Sequence, residues 1–554
     1  MCIKFVWQIP WQCANLAPVT ALARSRHRIG QSPASGAAGV NSLPIVQKST
    51  APPVEVELKF QVLPGGEEIL RADAIFGPAA SRLHQITTYH DTPDHLLFAA
   101  DLTLRIRQEN ASFVQAVKSR DTGLWLANSR IEWEWPVANG IPDVGKLAKV
   151  PELLTIAGQI ADRLEPVIVT DVWRTKHLVA LADGAVAEVA LDIGRIVSGA
   201  LSEPICELEL ELKQGPIAPL YCLALRLLET VPMWISAQTK AARGWSLRNG
   251  TDGGALKLPK TSIGKKASVS AGLHQTIGAL LSHLTANIAS TLAGDPEALR
   301  QTRGALRQMR AVFALFRPML DKGEVARFTG PLRQFAQTFG AARDWDVFCL
   351  QTLPAVMADL PQQDWTDLSA LAREKRAVAH AAVQSTICGL HFTHLILMLA
   401  LWAETLANGP QNRLSRRLSK IAPTLLDTFA AQARQAGRHP TRLSMPALHD
   451  YRKALDRLNT AIRFLGGAYP AQPVAAYRKR SDAVRDIIGA ANDAQETGAL
   501  ADELADELAK DANRAKTATV NALCTWADKR QSDALTGLKQ AARQFRRASE
   551  FWQP

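Results

Sequence analysis

Glu55, Glu57 and Lys59 alternate with apolar residues in Val54-Glu55-Val56-Glu57-Leu58-Lys59-Phe60. Successive side chains of a strand point to opposite faces. This spacing therefore sets two carboxylates and an ammonium on one face, and Val56, Leu58 and Phe60 on the other. Two carboxylates one strand period apart repel each other. A divalent cation is one remedy, because Mg²⁺ is commonly held by one or two carboxylates together with substrate phosphate oxygens. The pattern recurs along the first half of the chain. Arg105 and Arg107 share a face in Leu104-Arg105-Ile106-Arg107, and Arg130, Glu132 and Glu134 share one in Arg130-Ile131-Glu132-Trp133-Glu134-Trp135. Glu207, Glu209 and Glu211 share another in Cys206-Glu207-Leu208-Glu209-Leu210-Glu211-Leu212-Lys213. Paired arginines suit bidentate contacts to phosphate. For any one of these strands alone, a solvated sheet face is the competing reading.

What must position these groups is a set of strands with one apolar and one charged face. Closing such strands into a barrel would bring the charges round a cavity, glutamates for a metal and arginines for phosphate on one wall. The ordered series resembles the CYTH domain family, named after a bacterial adenylyl cyclase class and thiamine triphosphatase. Glu55-x-Glu57-x-Lys59 resembles its opening signature. Tyr89-His90-Asp91-Thr92-Pro93 follows, with His90 where the family has an aromatic. Then come Leu104-Arg105-Ile106-Arg107, Val117-Lys118, Arg130-x-Glu132-x-Glu134, Arg174, Asp192-Ile193-Gly194, Glu207-x-Glu209-x-Glu211 and Lys240-Ala241-Ala242-Arg243-Gly244. The resemblance covers about Val54 to Arg248. It implies an antiparallel eight-stranded tunnel that binds triphosphates with a divalent metal, Mg²⁺ or Mn²⁺.

On that reading Glu55, Glu57, Glu207 and Glu209 are the metal-site candidates, with Glu211 of the same parity beyond them. Arg105, Arg107, Arg130, Arg174 and Lys240 bind substrate phosphates. Lys59, Lys118, Glu132 and Glu134 are the catalytic candidates. The lysines clamp phosphate oxygens, and the two glutamates either hold a second metal or position water. Phosphoryl transfer needs mostly such positioning and charge stabilisation. For Glu132, Glu134 and Asp192, a place in a structural arginine network stands equally open.

The 554 residues are too many for one ordinary domain. Hydrophobic residues make up 47%, enough for real cores. The net charge of +12 points to an acidic partner. Aromatics are only 6% and no nucleic-acid-binding motif is present, so nucleic acid is not the expected partner. Seven scattered cysteines supply neither a disulfide framework nor a zinc motif, and a reducing cytoplasm is the expected compartment. Residues 1–53, rich in Pro, Ser, Gly, Ala and Gln, read as a disordered leader or a wrongly chosen start. The longest apolar run, Leu395 to Ala403, falls short of the ~20 residues that span a bilayer. Residues 54–248 form the strand-rich domain and 249–270 a linker.

From 271 to 554 the apolar period changes to three and four, as in Leu273, Ile277, Leu280, Leu281 and Leu284. This half also repeats. Leu299-x-x-x-Arg303-x-Ala305-Leu306 aligns with Leu448-x-x-x-Arg452-x-Ala454-Leu455, and Gly340-Ala341-Ala342-Arg343-Asp344 with Gly489-Ala490-Ala491-Asn492-Asp493. Both alignments have one offset (448 − 299 = 149), so a helical unit spanning about 299–344 and 448–493 is duplicated. Arg300, Arg303, Arg307 and Arg310 share one helical face, and Arg452, Lys453 and Arg457 are the counterpart after His449. A run of like charges is unfavourable unless acids or a polyanion face it.

Leu448-His449-Asp450-x-Arg452-Lys453 and Arg343-Asp344-Trp345-Asp346-Val347 resemble the CHAD domain, a duplicated helical domain named for its histidines. Arg300 stands where the first repeat of that family has histidine. The resemblance implies binding of inorganic polyphosphate through Arg300, Arg303, Arg307, Arg310, His449, Arg452, Lys453 and Arg457. The expected architecture is thus α+β in two domains: an antiparallel eight-stranded β tunnel with flanking helices, then an all-α duplicated bundle. The expected activity is an inorganic triphosphatase that cleaves tripolyphosphate to pyrophosphate and phosphate, with polyphosphate as a further partner. Adenylyl cyclase, thiamine triphosphatase or nucleoside triphosphatase chemistry on the same tunnel is one alternative. A non-catalytic protein targeted to polyphosphate granules is the other.

Overall fold

The computed structural model describes residues 54–76, 80–119, 128–154, 156–250, 254–258, 263–408, 413–508 and 514–553. The expected leader, 1–53, lies outside them. Two compact units divide the chain near residue 250.

The first unit is a single antiparallel sheet. Its strands are β1 (Val54–Val62), β2 (Ser81–Asp91), β3 (Leu102–Glu109), β4 (Ser112–Ser119), β5 (Asn128–Val137), β6 (Glu165–Ala180), β7 (Val186–Ser198), β8 (Leu201–Gln214) and β9 (Met233–Ile235). They lie in the order β5-β4-β3-β2-β6-β7-β8-β1-β9. A further ladder joins β5 back to β1, from Val54↔Ile131 to Glu57↔Asn128. Strands β1 to β8 therefore have a neighbour on each side, but the return is short. Past Glu57 the free edge of β1 is taken by β9, through Phe60↔Ile235 to Val62↔Met233. The sheet thus has nine strands among the described residues where eight were expected. The extra three-residue strand covers a stretch of β1 edge that β5 leaves open, and an open edge is a pairing hazard.

Along β1 and the middle of β8 neither face sees much water. Leu58, Phe60, Leu208 and Leu210 are fully buried on the apolar side. The helix Ala218–Leu228, almost wholly apolar, packs against β8. Each such leucine contributes about 1.5–3 kcal/mol. On the other face Glu57, Lys59 and Glu207 are also buried, at 8%, 5% and 0% exposure. The strand alternation has therefore turned the charges inward.

Two local motifs are structural. Asp91 accepts the N–H groups of Thr92, Leu97 and Phe98, and Thr92 Oγ1 accepts that of Leu96, so the Asp-Thr-Pro turn caps the short helix Leu96–Ala99. Gly194 lies against β6, where a Cβ would stand 2.0 Å from the Asp171 carbonyl oxygen. This close approach holds Asp192, two residues earlier, in register with Arg174.

The second unit is helical, and its duplication extends beyond the two patches legible in the sequence. Helices Val269–Ala286, Pro296–Phe316 and Lys322–Val347 correspond to Leu418–Ala436, Met445–Leu465 and Ala471–Leu508, each pair starting at the same offset (418 − 269 = 149). Leu390–Asn408 corresponds, one residue closer (538 − 390 = 148), to Leu538–Arg546, and Thr366–Cys388 to the helix containing Arg514–Ala534. The aligned leucines occupy equivalent core positions, Leu299 and Leu306 in one repeat and Leu448 and Leu455 in the other, all buried. No single helix among the described residues is long and apolar enough to cross a membrane.

Gly194→Ala should lower stability by about 2–3 kcal/mol, because backbone cannot yield as a side chain can. Gly304→Ala, in helix Pro296–Phe316, meets nothing within 4 Å and should stabilise by up to about 1 kcal/mol. Urea midpoints of the two variants check both; a Gly194→Ala midpoint equal to wild type would refute the close-approach account.

Candidate functional site

Cross-strand register decides which inward charges meet. Along β1 and β8, Lys59 stands opposite Glu209, Gln61 opposite Glu207 and Glu57 opposite Glu211. Lys59 Nζ lies 3.2 Å from Glu209 Oε1 and 3.3 Å from Glu57 Oε1. The helix Lys240–Asn249 begins with Thr239 accepting the Ala242 N–H, a cap that aims Lys240 and Arg243 into the sheet. Lys240 Nζ is 2.8 Å from each of Asp192, Glu207 and Glu209. Arg174 donates two parallel bonds to Asp192, at 2.7 and 2.6 Å, and a third to Glu209. Arg243 bonds Glu207, Glu203 and the Pro204 carbonyl.

These contacts set the protonation states. Burial alone would raise the Glu207 carboxyl, but Lys240, Lys59 and Arg243 outweigh it and hold the group at about 2. Glu209 is also depressed, against burial, by Lys240, Lys59 and Arg174. Burial works against the Lys59 ammonium, yet Glu57 and Glu209 raise it above its ordinary value.

The opposite wall comes from β3, β4 and β5. Lys118 Nζ bridges Glu55 at 2.8 Å and Glu132 at 2.9 Å. Arg105 meets Glu132 at 3.0 Å, and Arg107 meets Glu109 at 3.1 Å and Glu134 at 3.4 Å. Glu132 is thus engaged on both oxygens, whereas Glu134 is half-exposed and loosely held. Arg130 sits opposite Glu55 in register, and its side chain lies outside the described part of the structure.

Among the described residues no three carboxylates or other metal-binding groups already converge on one point. The donor chemistry for a hard cation lies in one row instead. Glu57, Glu211 and Glu188 are consecutive partners across β1, β8 and β7. Burial first, then the charges of Glu55 and Glu188, push the Glu211 carboxyl up despite Lys213. An all-oxygen set of mutually repelling carboxylates fits a divalent cation. Glu207 does not belong to that set. It is fully buried and held by Arg243, Gln61 and Lys240, which makes it a counter-ion for the cations. Glu211, of the same parity and expected beyond the site, stands directly opposite Glu57.

In the second unit the charges are arranged otherwise. Arg303 and Arg307 point toward the other repeat, where Arg452, Arg463 and Arg485 meet them. Enclosure by the helices, then the like charges of Arg303, Arg452 and Arg485, push Arg307 below its ordinary value despite Asp456. Enclosure, then Arg478, Arg307 and Arg485, do the same for Arg463. The Arg307 side chain remains solvent-accessible, so the cleft between the two basic helices, called the groove below, borders water. Arg485 and Arg478 pair with Asp482. Arg303, Arg307 and Arg452 form no ion pair among the described residues. Of the other residues on the expected stripe, Arg300 is bidentate to Glu297, Arg310 faces Arg333, Lys453 pairs with Asp450 and Arg457 is exposed. His449 Nδ1 accepts the Asn492 amide at 2.9 Å.

Reading single strands and helices missed Arg243, Gln61 and Glu188 in the first unit and Arg478 and Arg485 in the second. Arg243 had a signal, standing three residues after Lys240 on the same helix face. The others become neighbours of the site only through register or helix packing.

Residues 54–243 match the CYTH domain model and residues 275–502 the CHAD domain model. An inorganic triphosphatase of Haemophilus influenzae is 32% identical over 199 residues, covering 35% of this chain and 54% of that protein. The chain therefore spans about half the length of that relative. The crystal structure of the CHAD domain from the plant Ricinus communis is similar at 21% identity and a TM-score of 0.47, over 54% of this chain and 99% of that one. PptA from Streptomyces chartreusis is similar at 15% identity and 0.39, over 50% and 100%. HpAC1 from Hippeastrum, whose structure is described as revealing a dominant triphosphatase activity, is similar at 19% and 0.27, over 36% and 96%.

Glu207→Gln leaves the cations around it short of a charge in a water-poor place, so stability near pH 7 should fall by about 3 kcal/mol. Because the folded carboxyl titrates near 2 rather than 4.5, its contribution is complete above pH ~4.5 and lost as pH falls toward ~2. The gap between variant and wild type should therefore close over that window in denaturant titrations. A gap unchanged down to pH 2 would contradict the assignment.

Proposed function

We propose that this chain, which carries a CYTH domain followed by a CHAD domain, hydrolyses inorganic tripolyphosphate to pyrophosphate and phosphate in its first unit and binds inorganic polyphosphate in its second. The observation that carries the first half is the inward burial of Lys59, Arg174 and Lys240, whose positive charge is matched only by carboxylates. A triphosphate brings the same kind of oxygen anions. It can replace Glu209 as the acceptor for these three cations, and Glu132 and Glu134 as the acceptors for Arg105, Arg107 and Lys118, without leaving any of them unpaired.

Lys59, Lys240 and Arg174 on one wall, and Arg105, Arg107 and Lys118 on the other, bind phosphate oxygens and hold the chain extended between them. They also stabilise the charge that builds up on the pyrophosphate leaving group as the terminal P–O bond breaks. Glu57, Glu211 and Glu188, joined by Glu55 whose charge also reaches Glu211, would hold Mg²⁺ or Mn²⁺, which would supply charge neutralisation at the phosphoryl oxygens and lower the pKa of water. Glu134, loosely bonded, has acceptor capacity to orient the attacking water. Glu132, engaged by Arg105 and Lys118, positions those two cations. Glu207 and Asp192 keep Lys240, Arg243 and Arg174 in place.

The second half rests on the contrast between the units. Arg303, Arg307 and Arg452 crowd together and form no ion pair among the described residues, an arrangement that a polyanion relieves.

Glu57→Ala should remove most metal-dependent phosphate release from tripolyphosphate, on the order of 100-fold or more, with an unchanged circular dichroism spectrum. Tripolyphosphate should be turned over faster than ATP or thiamine triphosphate. Preference for either of those would replace the inorganic substrate, and wild-type turnover in a folded Glu57→Ala protein would remove the metal assignment.

Arg303→Gln/Arg307→Gln should weaken binding of long-chain polyphosphate at low salt. It should also flatten the log–log salt dependence, since each lost phosphate contact removes about one released counterion. An unchanged slope in anisotropy titrations would show that the arginines serve the fold alone.

A further inference from the structure

The duplication brings two carboxylates into the arginine groove of the second unit. Arg303 lies over Gly340, its Nε 3.6 Å from where a Cβ would be, and Arg452 lies over Gly489 in the same manner, its Nη2 at 3.7 Å. One helical turn beyond each glycine stands an aspartate, Asp344 and Asp493, a repeat-related pair (493 − 344 = 149). Four residues on a helix return to the same face, so each aspartate sits beside the guanidinium that its glycine accommodates.

Four helices face the pair. Arg303 comes from Pro296–Phe316, Arg343 and Asp344 from Lys322–Val347, Arg452 from Met445–Leu465, and Asp493 and Glu496 from Ala471–Leu508. Asp344 feels Arg303, Glu496, Asp493 and Arg343, and Asp493 feels Arg452, Arg303 and Arg343. His449 stands nearby through Asn492, the residue before Asp493. Among the described residues neither carboxylate takes a hydrogen bond or a close ion pair. This differs from Asp346, two residues on from Asp344, which is buried and bonded by Arg376 at 2.7 Å and His380 at 2.8 Å. Asp346 is an anchor for the fold, whereas Asp344 and Asp493 are loose acids lying against the cations proposed to bind phosphate.

We propose that Asp344 and Asp493 are built-in counter-ions of this groove: while ionised they offset Arg303, Arg343 and Arg452, and protonation under mildly acid conditions releases those arginines to a phosphate polymer. The inference rests on the polyphosphate reading of the second unit and adds its regulation. Enclosure first, then the neighbouring Glu496 and Asp493 charges, push the Asp344 carboxyl up to about 6 although Arg303 opposes them. Asp493 is raised as well, by the helices packed around it, although its own surface stays exposed and its share of the response is the smaller. A raised carboxyl is neutral below its folded pKa, so the groove gains net positive charge as pH falls from 7 toward 5. The polymer does not lose its own charge in that interval, because internal phosphates of a long chain are strong acids.

The test is binding of fluorescently labelled long-chain polyphosphate to the full chain at pH 7.5 and pH 5.5, at one ionic strength. Wild type should bind about fivefold tighter or more at pH 5.5, the order expected for removing one nearby like charge. Asp344→Asn/Asp493→Asn should bind at pH 7.5 as tightly as wild type does at pH 5.5, with little pH dependence left. The single variants should fall between. His449→Gln should keep most of the wild-type response. If the double variant shows the full wild-type response, or if His449→Gln abolishes it, the counter-ion role is wrong while polyphosphate binding stands. If wild type binds no polyphosphate at either pH, the polyphosphate reading itself fails, and this inference with it.

Discussion

Charge cannot be buried without an opposite charge, and the first unit is built round that requirement. Moving an ammonium or a carboxylate out of water costs several kcal/mol each, and close pairing recovers it only with good geometry. Lys240 meets three carboxylates, Arg174 meets two and Lys118 bridges two more strands. Such a network does little for net stability against an apolar core of equal volume. It does maintain a shaped, water-poor, ion-lined face whose cations already point where phosphate oxygens would go. Replacing one set of oxygen anions with another then requires little reorganisation, which is the condition for electrostatic catalysis.

The apolar side of the same strands makes this possible. Leu58, Phe60, Leu208 and Leu210 are buried outside the charged face, under helices. A one-residue slip of β1 against β8 would exchange the two faces. The register that pairs Lys59 with Glu209 is therefore held by hydrophobic burial rather than by the ions themselves. Gly194 adds a local constraint, letting β7 approach β6 closely enough for Asp192 to meet Arg174 in a fork.

The second unit uses charge in the opposite way. In the first, cations and acids satisfy each other. In the second, the central arginines of two related helices are crowded and form no ion pair among the described residues. Duplication explains how this arises, since a basic residue on one helix face appears again on the related helix, and packing the repeats together brings like charges face to face. The two copies have since diverged. Arg300 and Arg343 occupy one repeat where His449 and Asn492 occupy the other, so the ends of the groove differ in charge and in response to pH.

The sequence by itself determined the alternating faces of β1, β3, β5 and β8, the change to helical period, the repeat offset and most of the charged residues that line both sites. These are local properties, and strand parity or helix spacing settles them without any knowledge of neighbours. Only the tertiary structure decided which charge opposes which. Parity put Glu207, Glu209 and Glu211 on one face but did not distinguish them. Register then set Glu211 against Glu57 and Glu188, while Arg243 and Lys240, arriving on a separate helix, claimed Glu207. Likewise the stripe Arg300, Arg303, Arg307 and Arg310 is real as a helix face, yet Glu297 binds the first and only Arg303 and Arg307 meet the second repeat. The ninth strand was illegible for the same reason, because a three-residue segment takes its form from the strand edge it covers rather than from its own pattern.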